Sequence, residues 1–307
     1  MTKGLGPGGR GRFPPGQIAE VKALACELPA QSGRPISRWS SAEIASEAVA
    51  RGIVCQVSGT TVWRWLSEDA IRPWAWRSWV FPRDPDFAAK AGRVLDLYER
   101  RWDGRRLHPG DYVISADEKT QLQALLRRHP LIAPGPGRPG LVEHEYRRGG
   151  TLAYLAAMDV HDPARGLFGR VEAKISNDAF DALVDEVMTT EPYASARRVF
   201  WVVDNGTIHR GQKAIDRLTA RWPNLILVHL PVHASWLNQI EIYFSILTRK
   251  ALTPCHFASL DQLADRVTRF QQHYRRSAKP FDWTFTRSDL HDLIARLGHD
   301  GRLAPAA

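Results

Sequence analysis

The run Val199-Phe200-Trp201-Val202-Val203 is apolar at every position. A strand with no polar face has to be covered on both sides, so it belongs in the interior of a layered α/β sheet rather than at a solvated surface. The segments around it follow a consistent order. Residues 112–116, 151–158 and 166–175 read as strands, and the short connection 159–165 reads as a hairpin turn, which makes these three antiparallel neighbours. Ser176 can cap a helix through Met188. After the apolar run come a helix over about 209–222, a strand over 225–230 and a helix beginning near Ser235. Three strands followed by alternating helix and strand predict a mixed five-stranded sheet with helices on both faces.

Three carboxylates fall at the ends of these elements. Asp117 closes the strand 112–116, Asp204 closes the apolar run, and Glu241 lies on the helix that starts near Ser235. Strand one is expected beside the apolar strand, so Asp117 and Asp204 should emerge together. Magnesium takes few carboxylates, keeps several waters and accepts phosphate oxygens as its other ligands, so acids converging at strand ends suit phosphodiester chemistry. Each acid also has a plainer reading. Asp117 adjoins Glu118, and an acidic pair can be a solvated loop. Asp204 opens the turn Asp204-Asn205-Gly206 and can cap the next helix. Glu241 borders the apolar stripe Leu237, Ile240, Phe244 and Leu247, where a carboxylate needs a partner, either a metal or a neighbour such as Arg249 or Lys250. His209 reads as a phosphate contact or as the start of a helix.

The length of 307 residues suggests about two domains. Ahead of the sheet, residues 1–16 are rich in Gly and Pro and read as a disordered linker with a basic run, Gly9-Arg10-Gly11-Arg12, that could enter a minor groove. Residues 17–80 read as a helical unit. Ile18, Val21, Ala25 and Leu28 recur at helical spacing until Pro29. Ser40 and Glu43 have capping-box spacing ahead of Ile44, Ala48 and Val49. A third helix over about 58–66 turns Val62 and Leu66 inward and leaves Ser58, Thr60, Thr61 and Arg64 for base edges or phosphates, as in a helix-turn-helix. Trp63, Trp65, Trp74, Trp76 and Trp79 crowd the end of this unit and are read mainly as packing between domains. Residues 81–110 form a connector with a helix marked by Phe87, Ala91, Val94 and Tyr98. Residues 111–297 form the sheet domain, and 298–307 a tail.

Net charge is +9, and the first 110 residues hold 17 Lys and Arg against 11 Asp and Glu. That surplus favours a polyanion through counterion release. Within the sheet domain, Arg127, Arg128, Arg138, Arg147 and Arg148 lie in the Pro/Gly-rich stretch between strands one and two and could hold phosphates. Cys26, Cys55 and Cys255 are too scattered for a disulfide framework or a zinc site. No apolar run approaches a membrane span, so a cytoplasmic, nucleoid-associated location is expected.

Three motifs carry a family resemblance: Asp117-Glu118-Lys119-Thr120-Gln121, Asp204-Asn205 followed by His209, and Ser235-Trp236-Leu237-Asn238-Gln239-Ile240-Glu241. They resemble the motifs of DDE transposases of the mariner-like superfamily, and most of all the bacterial insertion-sequence 630 group. The 36 residues between Asp204 and Glu241 are similar to that family's spacing, and Lys279-Pro280-Phe281-Asp282-Trp283 looks like its C-terminal segment. The resemblance implies a ribonuclease H-like fold with Asp117, Asp204 and Glu241, not Glu118, as the metal-binding triad. It also implies Mg²⁺, with Mn²⁺ as an alternative, and cut-and-paste movement of a DNA element into TA targets. The partners it implies are double-stranded DNA, both element ends and target, and further copies of the chain in a homodimer or larger assembly. Relatives commonly carry two helix-turn-helix units where one fits here, so a shortened N-terminus with weakened end recognition is expected. A non-catalytic DNA-binding remnant and a nuclease on the same fold stay open as alternatives.

Overall fold

The computed structural model describes residues 13–76, 84–206, 208 and 212–299. The chain forms two compact units, Met1–Val80 and Phe81–Ala307.

Among the described residues, the first unit holds three α-helices: α1 (Pro15–Ala25), α2 (Ser41–Ala50) and α3 (Gly59–Glu68). α1 starts inside the stretch read as unstructured, because proline is well suited to a first helical turn. It stops at Ala25, short of the expected Leu28, and Pro29 opens a separate 3₁₀ turn, Pro29–Ser32. Leu28 is consequently exposed. The Ser40/Glu43 capping box is present: Glu43 N donates to Ser40 Oγ at 3.2 Å and Ser40 N to Glu43 Oε2 at 2.7 Å. Val21, Ala25, Ile44, Ala48, Val62 and Leu66 form the core together with Trp39 and Trp65. Val49, expected inward, is 41% exposed. Glu47 is buried instead, because Arg34 and Arg51 pair with it. Gly59 opens α3 where a Cβ would come within 3.1 Å of the Ala42 backbone, so the absent side chain lets α3 seat closely on α2.

The second unit begins with α4 (Phe87–Tyr98), followed by a small hairpin, β1 (Arg101–Trp102) and β2 (Arg105–Arg106), that the sequence reading did not anticipate. The main sheet consists of β3 (Asp111–Leu126), β4 (Arg147–Asp159), β5 (Leu167–Glu172), β6 (Arg198–Val203) and β7 (Leu225–His229), in the order β5-β4-β3-β6-β7. β3 runs antiparallel to β4 and parallel to β6, and β6 is parallel to β7. This is the mixed five-stranded sheet predicted above. α5 (Asn177–Met188) is capped by Ser176, whose Oγ accepts from Ala179 N at 3.1 Å. α6 (Gln212–Arg221) precedes β7, and α7 (Ile240–Leu247) carries Glu241. The helix expected from Ser235 is broken there: Ser235–Leu237 is a 3₁₀ turn, and α7 starts only at Ile240. Two later helices, α8 (Leu260–Arg275) and α9 (Arg287–His299), were not read from the sequence.

Strand alternation assigns the two faces. Ile114, Ala116, Val199, Trp201 and Val203 pack with Phe180, Leu183 and Val187 of α5. On the other face, Val113, Phe200 and Val202 pack with Ala91, Val94 and Leu95 of α4, so that helix belongs to the sheet's own core. Further along this face, Tyr154, Ala156 and Met158 of β4 meet Ile240, Tyr243, Phe244 and Leu247 of α7 and Leu263 and Val267 of α8. The apolar run 199–203 is covered on both sides, as its composition required.

Register is pinned at the base of β3 and β6. Asp111 is wholly buried and opposes Arg198 across the strands. Arg198 donates to it twice, from Nη2 at 2.7 Å and Nε at 3.2 Å. Burial alone would raise the Asp111 pKa, but the Arg198 guanidinium and the His108 backbone N–H hold it below the usual carboxylate range.

Candidate metal centre

The two aspartates arrive side by side because the two parallel strands are in register. Ser115 pairs with Val202 as the last rung between β3 and β6. Asp117 and Asp204 each lie two residues beyond that rung, on the face toward α7. Asp117 does not close its strand, as the sequence reading supposed. β3 continues to Leu126 because β4 pairs with it well past the end of β6, with Asp117 opposite Ala156. Asp117 is therefore 7% exposed, whereas Asp204 stands at the strand end and is half-buried.

Among the described residues, carboxylate oxygens of Asp117, Glu118 and Asp204 lie within 4.8 Å of one another. Glu118, set aside in the sequence reading, belongs to this group. Its backbone N–H donates to Asp117 Oδ1 at 2.8 Å. Glu241 lies outside the 4.8 Å group, in the first turn of α7, and is exposed. Its charge still bears on the site. Burial pushes the Asp117 pKa up to about 7, helped by the charges of Asp204, Glu118 and Glu241. Partial desolvation raises that of Glu241, Lys119 opposes the rise, and Asp204 adds to it.

Lys119 was missed as a site residue, although it follows Asp117 by the two-residue period that keeps it on the same face. Its ammonium sits 5.8 Å from the Phe244 ring centre and is the cation nearest in effect to Glu241, in place of the Arg249 or Lys250 considered earlier. Asp204 Oδ1 accepts from Gly206 N at 2.6 Å, and Asn205 Nδ2 donates to Leu230 O at 2.5 Å, tying the end of β6 to the end of β7. Asn238 Nδ2 donates to Asp117 Oδ2 at 3.1 Å. Several acids drawn together, one of them holding its proton near neutrality, form a donor set suited to a hard divalent ion.

The candidate DNA contacts separate into three groups. Arg10, Arg12 and His209 lie outside the described residues. On α3, Thr60 and Arg64 are exposed, while Ser58 and Thr61 are engaged in the cap: Thr61 N donates to Ser58 Oγ at 3.1 Å and the two hydroxyls are 2.9 Å apart. Ser58, Thr61 and Arg64 line an open cleft with Gln17 and Glu68. Trp63 and Trp76, read as packing, are 54% and 61% exposed, and among the described members of the cluster Trp65 is the buried one. In the second unit, Arg128, Arg147 and Arg148 are exposed, but Arg147 and Arg148 belong to β4 rather than to the loop. Arg127 is committed to structure: it donates to Glu143 O at 2.8 Å and to Cys255 O, and it packs 5.6 Å from the Tyr146 ring centre. Arg138 donates to Ala133 O at 3.3 Å within its own loop.

A mixed sheet in this order, with helices on both faces and acids at the ends of its paired central strands, is the ribonuclease H-like architecture of DDE enzymes. Residues 113–264, from β3 through α7 and into α8, match the family profile described as DDE superfamily endonuclease. Solved structures agree in fold. The Mos1 mariner paired-end complex with Mn is 15% identical, with a TM-score of 0.56 over 97% of this chain and 80% of that one. The Mos1 strand transfer complex is 15% identical, with a TM-score of 0.56 over 95% and 80%. The mariner Mos1 paired-end complex with Mg is 16% identical, with the same TM-score and coverage as the strand transfer complex. No curated protein matches the chain in sequence.

Proposed function

We propose that this chain is a transposase of the mariner-like superfamily, of the insertion-sequence 630 type, that cleaves the ends of a DNA element and joins them to target DNA. The observation that carries this reading is the convergence of Asp117 and Asp204, with Glu118, at one level of two parallel strands in a DDE superfamily endonuclease domain. Asp117, Asp204 and Glu241 would hold Mg²⁺ or Mn²⁺, with Glu118 beside them. Bound there, the cations would activate a water or a 3′-hydroxyl and neutralise charge on the phosphodiester.

The chain's own groups supply the rest. Asp117 must give up its proton before it can ligate, and the charge of an arriving cation favours that loss. Lys119 places one positive charge beside Glu241, where a phosphate oxygen can also be met. Thr60, Trp63 and Arg64 present a polar, aromatic and cationic face on α3 for the element end. Arg128, Arg147 and Arg148 offer phosphate contacts near the sheet. Insertion at TA sites, work on the nucleoid and assembly as a homodimer or larger complex belong to the same proposal.

The test is cleavage and joining of labelled DNA bearing the flanking element end, with Mg²⁺ or Mn²⁺, comparing the intact chain with Asp204→Asn. Metal-dependent joined product that disappears in Asp204→Asn is expected. Cleavage without joining would identify a nuclease, and binding without either would identify a DNA-binding remnant.

A further inference from the structure

Asn238 is 1% exposed and Ser115 is wholly buried, yet both side chains are polar, and Asn238 reaches the acid site directly. A buried polar group costs free energy unless each of its hydrogen-bonding atoms is paired, and here the pairing is complete. Asn238 Nδ2 donates to Ala116 O at 3.0 Å and to Asp117 Oδ2 at 3.1 Å. Its Oδ1 accepts from Ser115 Oγ at 2.5 Å, and Ser115 Oγ in turn accepts from Ile240 N at 2.9 Å. The amide has only one workable orientation. Turned over, it would set its carbonyl oxygen against Ala116 O and the Asp117 carboxylate, and its NH₂ against a hydroxyl already receiving a proton.

The chain of bonds therefore runs from the backbone N–H immediately before Glu241, through Ser115 and Asn238, to the carboxylate of Asp117. It joins the first turn of α7 to the centre of β3 by side chains that never meet solvent. To cap α7, the serine hydroxyl alone would suffice. The second amide hydrogen instead goes to a carboxylate of the acid site, where it steadies one oxygen and defines the lone pairs left for a cation.

We propose that Ser115 and Asn238 are positioning residues for the metal site: Asn238 orients the Asp117 carboxylate, and Ser115 fixes Asn238 against the start of the helix that carries Glu241. The proposal rests on reading Asp117 as a metal ligand. Residues that orient metal ligands typically matter 10–100-fold for metal affinity.

The experiment is Mn²⁺ titration of the full chain without DNA, following free Mn²⁺ by electron paramagnetic resonance, for the wild type, Asn238→Ala, Ser115→Ala and Asp204→Asn. Thermal unfolding in EDTA reports whether each variant is folded. Asn238→Ala is expected to bind Mn²⁺ roughly 10–100-fold more weakly while remaining folded in EDTA, and Ser115→Ala to follow in the same direction. Raising Mn²⁺ should then restore DNA cleavage in Asn238→Ala but not in Asp204→Asn, an outcome that loss of fold alone would not produce. Folded Asn238→Ala that binds Mn²⁺ within about twofold of wild type overturns the positioning role and leaves the reading of the acids standing. A wild type that binds no Mn²⁺ overturns that reading, and the proposal with it. Should Asn238→Ala prove unfolded in EDTA, the same comparison on Ser115→Ala decides.

Discussion

Asp117 bears a cost that the metal-free protein cannot avoid. Its carboxyl is nearly buried and faces Asp204, so its folded pKa stands at about 7, above the ordinary carboxylate value. A group whose pKa is raised by folding binds more protons in the folded state, so it weakens the fold most above the folded pKa. The penalty shrinks as pH falls from about 7 toward 4, where the unfolded carboxylate also takes up its proton. Replacing Asp117 with Asn removes the charge while keeping the shape. In EDTA at pH 8, Asp117→Asn should be more stable than wild type by on the order of 1–3 kcal/mol, with the gap narrowing by pH 5. Thermal unfolding at the two pH values measures this, and an Asp117→Asn protein less stable than wild type at pH 8 would show that the charge is already compensated. At this scale the sequence was partly legible. Asp117 and Asp204 announce themselves by ending apolar runs. Glu118 was left out of the triad by the family resemblance, and only the folded chain brings its carboxylate within 4.8 Å of those of Asp117 and Asp204. Lys119 and Ser115 each lie two residues from Asp117, and that period is the signal that would have found them.

The position of the acids depends on the register of β3 against β6, and that register is held at the far end of the strands. Asp111 opposes Arg198 in a two-bond pair, six residues before Asp117 and six before Asp204 respectively. A pair with one partner wholly buried is costly to break from one side, although the partial exposure of Arg198 moderates the loss. Asp111→Asn should destabilise the protein by roughly 1–3 kcal/mol at pH 7. Because the Asp111 pKa is depressed by folding, the wild type's advantage is full above the unfolded carboxylate value and fades as pH falls through the folded one. Denaturant unfolding at pH 7 and at about pH 3 checks both the size and the sign. Elements with a strong local signal, such as the wholly apolar run 199–203 and the Ser176-capped α5, could be read directly. The extension of β3 to Leu126 could not, because it depends on β4 lying alongside. The break before α7 arises where Asn238 leaves the helical path to reach β3, a tertiary bond that local propensity does not encode. α8 is harder to read because only Leu263 and Val267 of its sixteen residues are buried, a narrow stripe on a largely polar helix.

The two units of the chain divide the work on the proposed reading: the candidate metal-binding acids lie in the second, and the exposed face of α3 in the first presents Thr60, Trp63 and Arg64. On the proposed reading, DNA binding by the first unit needs no metal, and metal binding by the second needs no DNA. The first is an electrostatic process whose affinity falls with salt in proportion to the phosphates contacted. Arg64→Ala should weaken binding to the element end and, if Arg64 meets a phosphate, reduce the magnitude of the logarithmic salt slope by about 1. It should leave stabilisation by Mn²⁺ unchanged. Asp204→Asn should behave in the opposite way, with the salt slope intact and the Mn²⁺ response lost. Fluorescence anisotropy across a salt series, paired with thermal unfolding with and without Mn²⁺, reads both variants. If Arg64→Ala removed the Mn²⁺ response, or Asp204→Asn flattened the salt slope, the two activities would not be separable, and the assignment of DNA reading to α3 and metal binding to the sheet would have to be given up.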